Sequence, residues 1–182
     1  RNSLLIALMP TASSAHILGN TEAFEAPTQL IYARTTLSGQ FVVNNQHMVK
    51  DLQDIDMWTT DVVRQIISNK GSLQNVDESF CSETHLMRFR FLKKKYKTAF
   101  ELSQKYLVDL ATDRGKFICQ SQSFNCWMKD PSYSKLNAYH FYSWKSGAKT
   151  GMYYLRQSAK TDPINFSLNT INIPSKKKKM IA

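Results

Sequence analysis

The stretch Met9-Pro-Thr-Ala-Ser-Ser-Ala-His16 sets three hydroxyl side chains, Thr11, Ser13 and Ser14, between an apolar run and the start of a predicted helix. The first N–H groups of a helix have no intrahelical partner, and the macrodipole is positive there. With hydroxyls as added donors, such a loop can hold a phosphate without any Lys or Arg. The plainer role of Ser or Thr at this place is an N-cap, and both readings stand at this point.

The other reactive residue types form no recognisable set. Cys81 and His85 are four apart and Cys119 and Cys126 seven apart, but no second pair completes a tetrahedral site, and His16, His47 and His140 are scattered. We therefore expect no metal in this chain. Three cysteines are too few for a disulfide framework, and buried free thiols are the expectation. Neither a Gly-x-Gly-x-x-Gly string nor a Lys-containing phosphate loop is present, and no nucleophile motif points to a Ser-His-Asp triad. Tyr139, Phe141, Tyr142 and Trp144 are spaced as helix residues packing into a core.

Around these residues the pattern predicts alternating strands and helices. The apolar residues 3–9 read as a buried strand stopped by Pro10, and a short helix follows, closed by Gly19-Asn20. Residues 30–36 and 40–43 read as extended segments around Ser38-Gly39. Residues 48–52 and 59–69 read as helices, the second stopped by Gly71, and 71–85 as a loop. A long helix is expected from Leu86 or Lys93 to Arg114, then a strand over 116–123, a helix over 132–146 and a short extended segment over 152–156. Asp162-Pro163 reads as a turn, and 172–182 as a basic, disordered tail after a segment covering 1–171. The alternation predicts an α/β fold with parallel strands.

The apolar share, 42%, suffices for a packed core, and no apolar run nears the roughly 18 residues that span a bilayer. No secretory leader pattern is visible, so the expected setting is cytoplasmic, with reduced thiols. The chain opens without methionine on a predicted strand, and a segment of a longer protein is expected. The net charge of +10 is uneven: residues 1–75 hold five basic and six acidic side chains, and the rest carry the excess. Arg88, Arg90, Lys93, Lys94, Lys95 and Lys97 form one cluster and residues 176–179 another. Charge gathered in two local runs reads as solvated surface, not as a specific nucleic-acid site.

Several strings in order carry a resemblance: Arg1-Asn-Ser-Leu-Leu-Ile-Ala, Met9-Pro-Thr-Ala-Ser-Ser-Ala, Ile17-Leu-Gly-Asn, Leu37-Ser-Gly, Gln120-Ser-Gln-Ser, His140-Phe-Tyr, Lys149-Thr-Gly-Met-Tyr-Tyr-Leu-Arg and Asp162-Pro-Ile-Asn-Phe. From Arg1 to about Asn169 the chain resembles the C-terminal part of the large, catalytic subunit of aerobic (class I) ribonucleoside-diphosphate reductases. The resemblance implies the C-terminal portion of a ten-stranded α/β barrel. It implies reduction of ribonucleoside diphosphates to 2′-deoxy products by thiyl-radical chemistry. By position, Thr11, Ala12, Ser13 and Ser14 would contact the substrate diphosphate, and Tyr153 and Tyr154 would relay the radical. Implied partners are the small subunit, which supplies a metal-tyrosyl radical centre, a second large subunit, and thioredoxin or glutaredoxin as electron source.

The family's catalytic cysteines have no counterpart here, so the chain alone is expected to be inactive. Cys119 stands where an Asp is common, Ser143 replaces a usual Gly, the loop around residues 77–90 is longer, and the tail lacks a cysteine pair. The alternative is a remnant or binding module whose basic clusters meet an acidic partner. If the relay reading holds, the two phenol rings should lie face to face near the Thr11 loop, on irregular backbone. Without it, one core and one surface tyrosine on a regular strand are expected.

Overall fold

A computed structural model describes residues 1–158. The Asp162-Pro163 turn and the 172–182 tail with its lysine run lie outside the described residues. The first helix, α1 (Ala12–Leu18), ends where sequence reasoning puts it: Gly19 adopts φ 69°, and the N–H groups there reach back to Ala15 and His16. Next comes an antiparallel hairpin, β1 (Ile31–Thr36) and β2 (Gly39–Asn44), joined by Leu37 and Ser38. Then follow α2 (Gln46–Gln53), α3 (Thr60–Ser68), a 3-10 turn at Glu78–Phe80 and α4 (Glu83–Lys95). The chain continues with α5 (Gln104–Gly115), β3 (Cys126–Met128), α6 (Tyr133–Lys145) and β4 (Leu155–Gln157), which runs parallel to β3.

The chain forms two compact units. One comprises residues 29–97. Asn45 and Thr59 cap α2 and α3 through their side chains, and the apolar stripe Val62, Val63, Ile66 is fully buried. These pack with Leu30, Met48, Leu52, Leu73, Phe89 and Leu92 in one core. Gly71 closes it. At φ 76° it donates to Ile66 C=O, and an added Cβ would lie 2.7 Å from Gln29 Cβ and 2.8 Å from Ile31 C=O. Asp51 accepts from Lys95 Nζ at 2.6 Å and from the buried Tyr96 hydroxyl at 2.5 Å. The Lys95 ammonium first, then Tyr96, holds the Asp51 carboxyl below the usual range.

The other unit joins residues 1–28 to the described residues from 98 onward. Its core is Leu107, Val108 and Ala111 of α5 with Phe124, Cys126 and Tyr139. Ser132 caps α6 through its hydroxyl, as its place before the aromatic run suggests.

Four sequence expectations are corrected. Residues 3–9 are not a buried strand: Leu8 makes an isolated parallel bridge to Gln122, and Leu4, Leu5, Ile6 and Met9 are exposed. A two-faced apolar run needs neighbours on both sides, and the described residues pair it along one edge only. The long helix to Arg114 is two helices. Tyr96 is tied to Asp51, the Ala99 N–H donates to Pro27 C=O, and Thr98 N–H donates to Glu101, so the chain leaves helical geometry between Lys95 and Gln104. Residues 116–123 are a turn and irregular chain; the strand forms later, at Cys126–Met128. Nor are all strands parallel, since β1 and β2 are antiparallel. The fold is mixed helix and strand, with no closed barrel among the described residues. No helix among them is long and apolar enough to cross a membrane.

Candidate functional site

Three segments of one unit run parallel. Residues 120–123 meet the N-terminal segment: Gln120 N–H donates to Ile6 C=O at 3.1 Å and Ser123 N–H to Leu8 C=O at 2.8 Å. Residues 124–128 meet the chain around β4: Tyr153 N–H donates to Phe124 C=O at 2.7 Å and Cys126 N–H to Tyr154 C=O at 2.9 Å. The central segment, residues 120–128, thus meets the chain ahead of the Thr11 loop at Ile6 and Leu8 on one edge, and the backbones of Tyr153 and Tyr154 on the other.

In that loop Thr11 is occupied. Its N–H donates to Glu22 C=O at 3.0 Å and its hydroxyl to the same oxygen at 3.3 Å. Thr11 stands at the N-cap but makes no side-chain bond to the helix. The Glu22 carboxylate in turn meets His16 Nε2 at 3.0 Å, so residues 11–22 close on themselves. Ser14 N–H donates to Thr11 C=O. Among the described residues nothing meets the N–H group of Ser13, and the Ser13 and Ser14 side chains are exposed. Donors for an anion remain at Ser13 and Ser14.

Tyr153 and Tyr154 are in contact, with ring centroids 4.3 Å apart, and both are exposed. They sit at a bend before β4, on irregular backbone. The expected face-to-face stack is corrected: the rings meet edge to face at 64°. The Arg156 guanidinium covers the Tyr154 ring, 4.7 Å from its centroid, and the aromatic quadrupole favours an edge approach over a direct sandwich. The Tyr154 phenol, through a side-chain hydrogen bond and then its charge, raises the proton affinity of Tyr153, while Arg156 lowers it.

The thiols fall into different settings. Cys126 is fully buried, and burial pushes its pKa up to about 11. Cys119 is exposed, and the backbone N–H groups of Leu5 and Ile6 pull its pKa below the usual value, with Lys149 adding to the effect. Cys81 lies in the 29–97 unit, and burial raises its pKa. Among the described residues no group of three His, Cys, Asp or Glu converges as a metal site. A small cavity of about 20 Å³ is lined by residues that include Thr112, Gln120, Gln122, Lys149 and Thr150.

The basic cluster is largely neutralised at home. Arg88 meets Asp54 at 3.3 Å, Arg90 and Lys93 meet Glu78 at 2.9 and 3.4 Å, and Lys95 meets Asp51. Sequence reasoning also passed over Glu25. Its carboxylate accepts from Asn125 N–H and Nδ2 and from Trp127 Nε1 at 2.9–3.2 Å. No local signal marks that role, because the partners lie a hundred residues away.

One unit thus carries both the hydroxyl-rich loop and the tyrosine pair on the two edges of one parallel ladder. The family model for the ribonucleotide reductase barrel domain matches residues 1–154, and the chain belongs to that family. Among named relatives, the ribonucleoside-diphosphate reductase large subunit of Plasmodium falciparum (isolate Dd2) is 48% identical over 170 residues, 93% of this chain and 20% of the relative. That of Arabidopsis thaliana is 47% identical over 176 residues, 97% of this chain and 20% of the relative. In structure the chain is similar to the Actinobacillus ureae class Id ribonucleotide reductase alpha subunit, with TM-score 0.66 and 26% identity, over 82% of this chain and 25% of that one. The chain spans about a fifth of the length of the relatives it matches.

Proposed function

We propose that this chain is the C-terminal portion of the ten-stranded barrel of a class I ribonucleoside-diphosphate reductase large subunit. In the full-length enzyme it binds the substrate diphosphate and carries the last steps of a radical relay. The observation that carries this reading is the contact of Tyr153 with Tyr154, beside a segment whose other edge pairs with the chain that leads into the Thr11 loop. Ala12, Ser13 and Ser14 offer the phosphate amide and hydroxyl donors, and Thr11 closes the loop through Glu22.

The small subunit supplies the oxidising hole from its metal-tyrosyl centre. Within this chain the transfer is a hydrogen-atom exchange between neighbours. The Tyr153 O–H bond breaks, its proton and one electron pass to the Tyr154 phenoxyl, and a Tyr154 O–H bond forms; the reverse restores Tyr153. Phenols in contact can do this with little movement. Thioredoxin or glutaredoxin returns the electrons spent on substrate, the large subunit acts as a homodimer, and the setting is cytoplasmic. The pairing of the basic cluster within its own unit argues against a binding module for acidic partners.

The test is turnover. The full-length subunit that carries this segment, mixed with its small subunit and a dithiol, is expected to convert ribonucleoside diphosphates to deoxy products. The 182-residue chain alone is expected to give none, because its cysteines match none of the family's catalytic set. Deoxynucleotide formation by the isolated chain, or none by the full-length pair, would contradict this reading.

A further inference from the structure

Along residues 123–127 the odd-numbered N–H groups turn to one edge of the ladder. Ser123 N–H donates to Leu8 C=O, but beyond Leu8 the N-terminal segment departs into the Thr11 loop. Side chains take over where that backbone leaves. Asn125 N–H donates to Glu25 Oε1 at 3.0 Å, and Trp127 N–H donates to Gln104 Oε1 at 2.8 Å. Glu25 goes further: Asn125 Nδ2 donates to both of its oxygens at 3.0 and 3.2 Å, and Trp127 Nε1 donates to Oε2 at 2.9 Å. The even-numbered edge of the same segment holds the tyrosine pair, through Phe124 C=O to Tyr153 N–H and Cys126 N–H to Tyr154 C=O.

We infer that Glu25 is a positioning residue for the Tyr153–Tyr154 pair: its carboxylate grips Asn125 and Trp127 on one edge of the segment whose other edge fixes the two tyrosine backbones. An independent observation shows how firmly Glu25 sets this edge. Asn125 Oδ1 is buried with no partner among the described residues. A free choice of amide orientation would avoid a buried orphan carbonyl. The side chain is turned amide-first because the carboxylate accepts only. Since the segment is short and irregular on both sides of β3, losing the grip on one edge lets the other shift. Radical transfer between phenols depends steeply on their separation, whereas the diphosphate loop is held separately, by Glu22.

This inference rests on the relay reading, and the test separates the two. In the full-length subunit with its small subunit, Glu25→Gln keeps shape but turns an amide toward two donors. It is expected to lower kcat at least tenfold, with KM for the diphosphate within twofold and melting temperature unchanged. Radical trapped on 3-aminotyrosine at position 154 should fall in parallel. Glu25→Gln with Trp127→Phe, which removes one clashing donor, should recover part of kcat. Should Glu25→Gln fold poorly, Trp127→Phe alone is expected to lower kcat two- to fivefold with KM unchanged. Wild-type kcat and trapped radical in Glu25→Gln, or a matching rise in KM, would overturn the assignment provided Tyr153→Phe is inactive; an active Tyr153→Phe would instead remove the relay reading beneath it.

Discussion

Replacing Ser13 and Ser14 by alanine weighs the proposed diphosphate loop directly. The structure fixes which donors each change removes. Thr11 is committed to Glu22, so the open donors are the Ser13 N–H group and the two serine hydroxyls. Alanine leaves the amides in place and deletes only the hydroxyls. A hydrogen bond to a charged group contributes about 1.5–3 kcal/mol. Both serines are exposed, so water can enter where a hydroxyl is lost, which places each loss at the low end. About 1.4 kcal/mol is a factor of ten. Each single variant should therefore raise KM for a ribonucleoside diphosphate about tenfold in the full-length enzyme, and the double variant about a hundredfold. A bound nucleoside without phosphates should be unaffected. The assay is steady-state reduction across diphosphate concentrations, with competitive inhibition by the nucleoside as control. An unchanged KM in the double variant, or equal losses for nucleoside and diphosphate, would refute the reasoning.

Other consequences follow from particular contacts. Gly71→Ala forces a left-handed φ on an L residue, at about 1–2 kcal/mol, and sets a Cβ against Gln29 and Ile31; thermal unfolding should fall by several degrees, while Gly115→Ala, with open space around it, should cost nothing. Because the folded Asp51 pKa lies below the ordinary carboxylate value, its contribution is complete above about pH 4 and is lost as pH falls through the folded value; Asp51→Asn should lower stability at pH 7, and the difference should shrink in melts run toward pH 2–3. Alkylation of the native protein at pH 8, read by mass spectrometry, should label exposed Cys119 first and buried Cys126 last.

Capped elements were legible in the sequence. Gly19 closes α1 as expected, and the helix starts expected at residues 59 and 132 are where Thr59 and Ser132 cap α3 and α6. The misread parts depend on distant partners. Tyr96 and Ala99 are both buried, so their spacing mimics one helical stripe, yet each packs in a different unit. Residues 3–9 carry strand composition, but a strand is completed by its neighbours. The adjacency of Tyr153 and Tyr154 could be read, whereas their edge-to-face angle depends on Arg156 and on the bend. Glu25 gave no local sign, since its function lies in what returns a hundred residues later.

The central claim is the radical relay, and phenylalanine tests it because it fills nearly the same space without an O–H to lose. In the full-length subunit, mixed with its small subunit, Tyr153→Phe and Tyr154→Phe are each predicted to abolish formation of deoxynucleoside diphosphate, while melting temperature and substrate affinity stay within error of wild type. Either variant keeping most of its turnover would contradict the account.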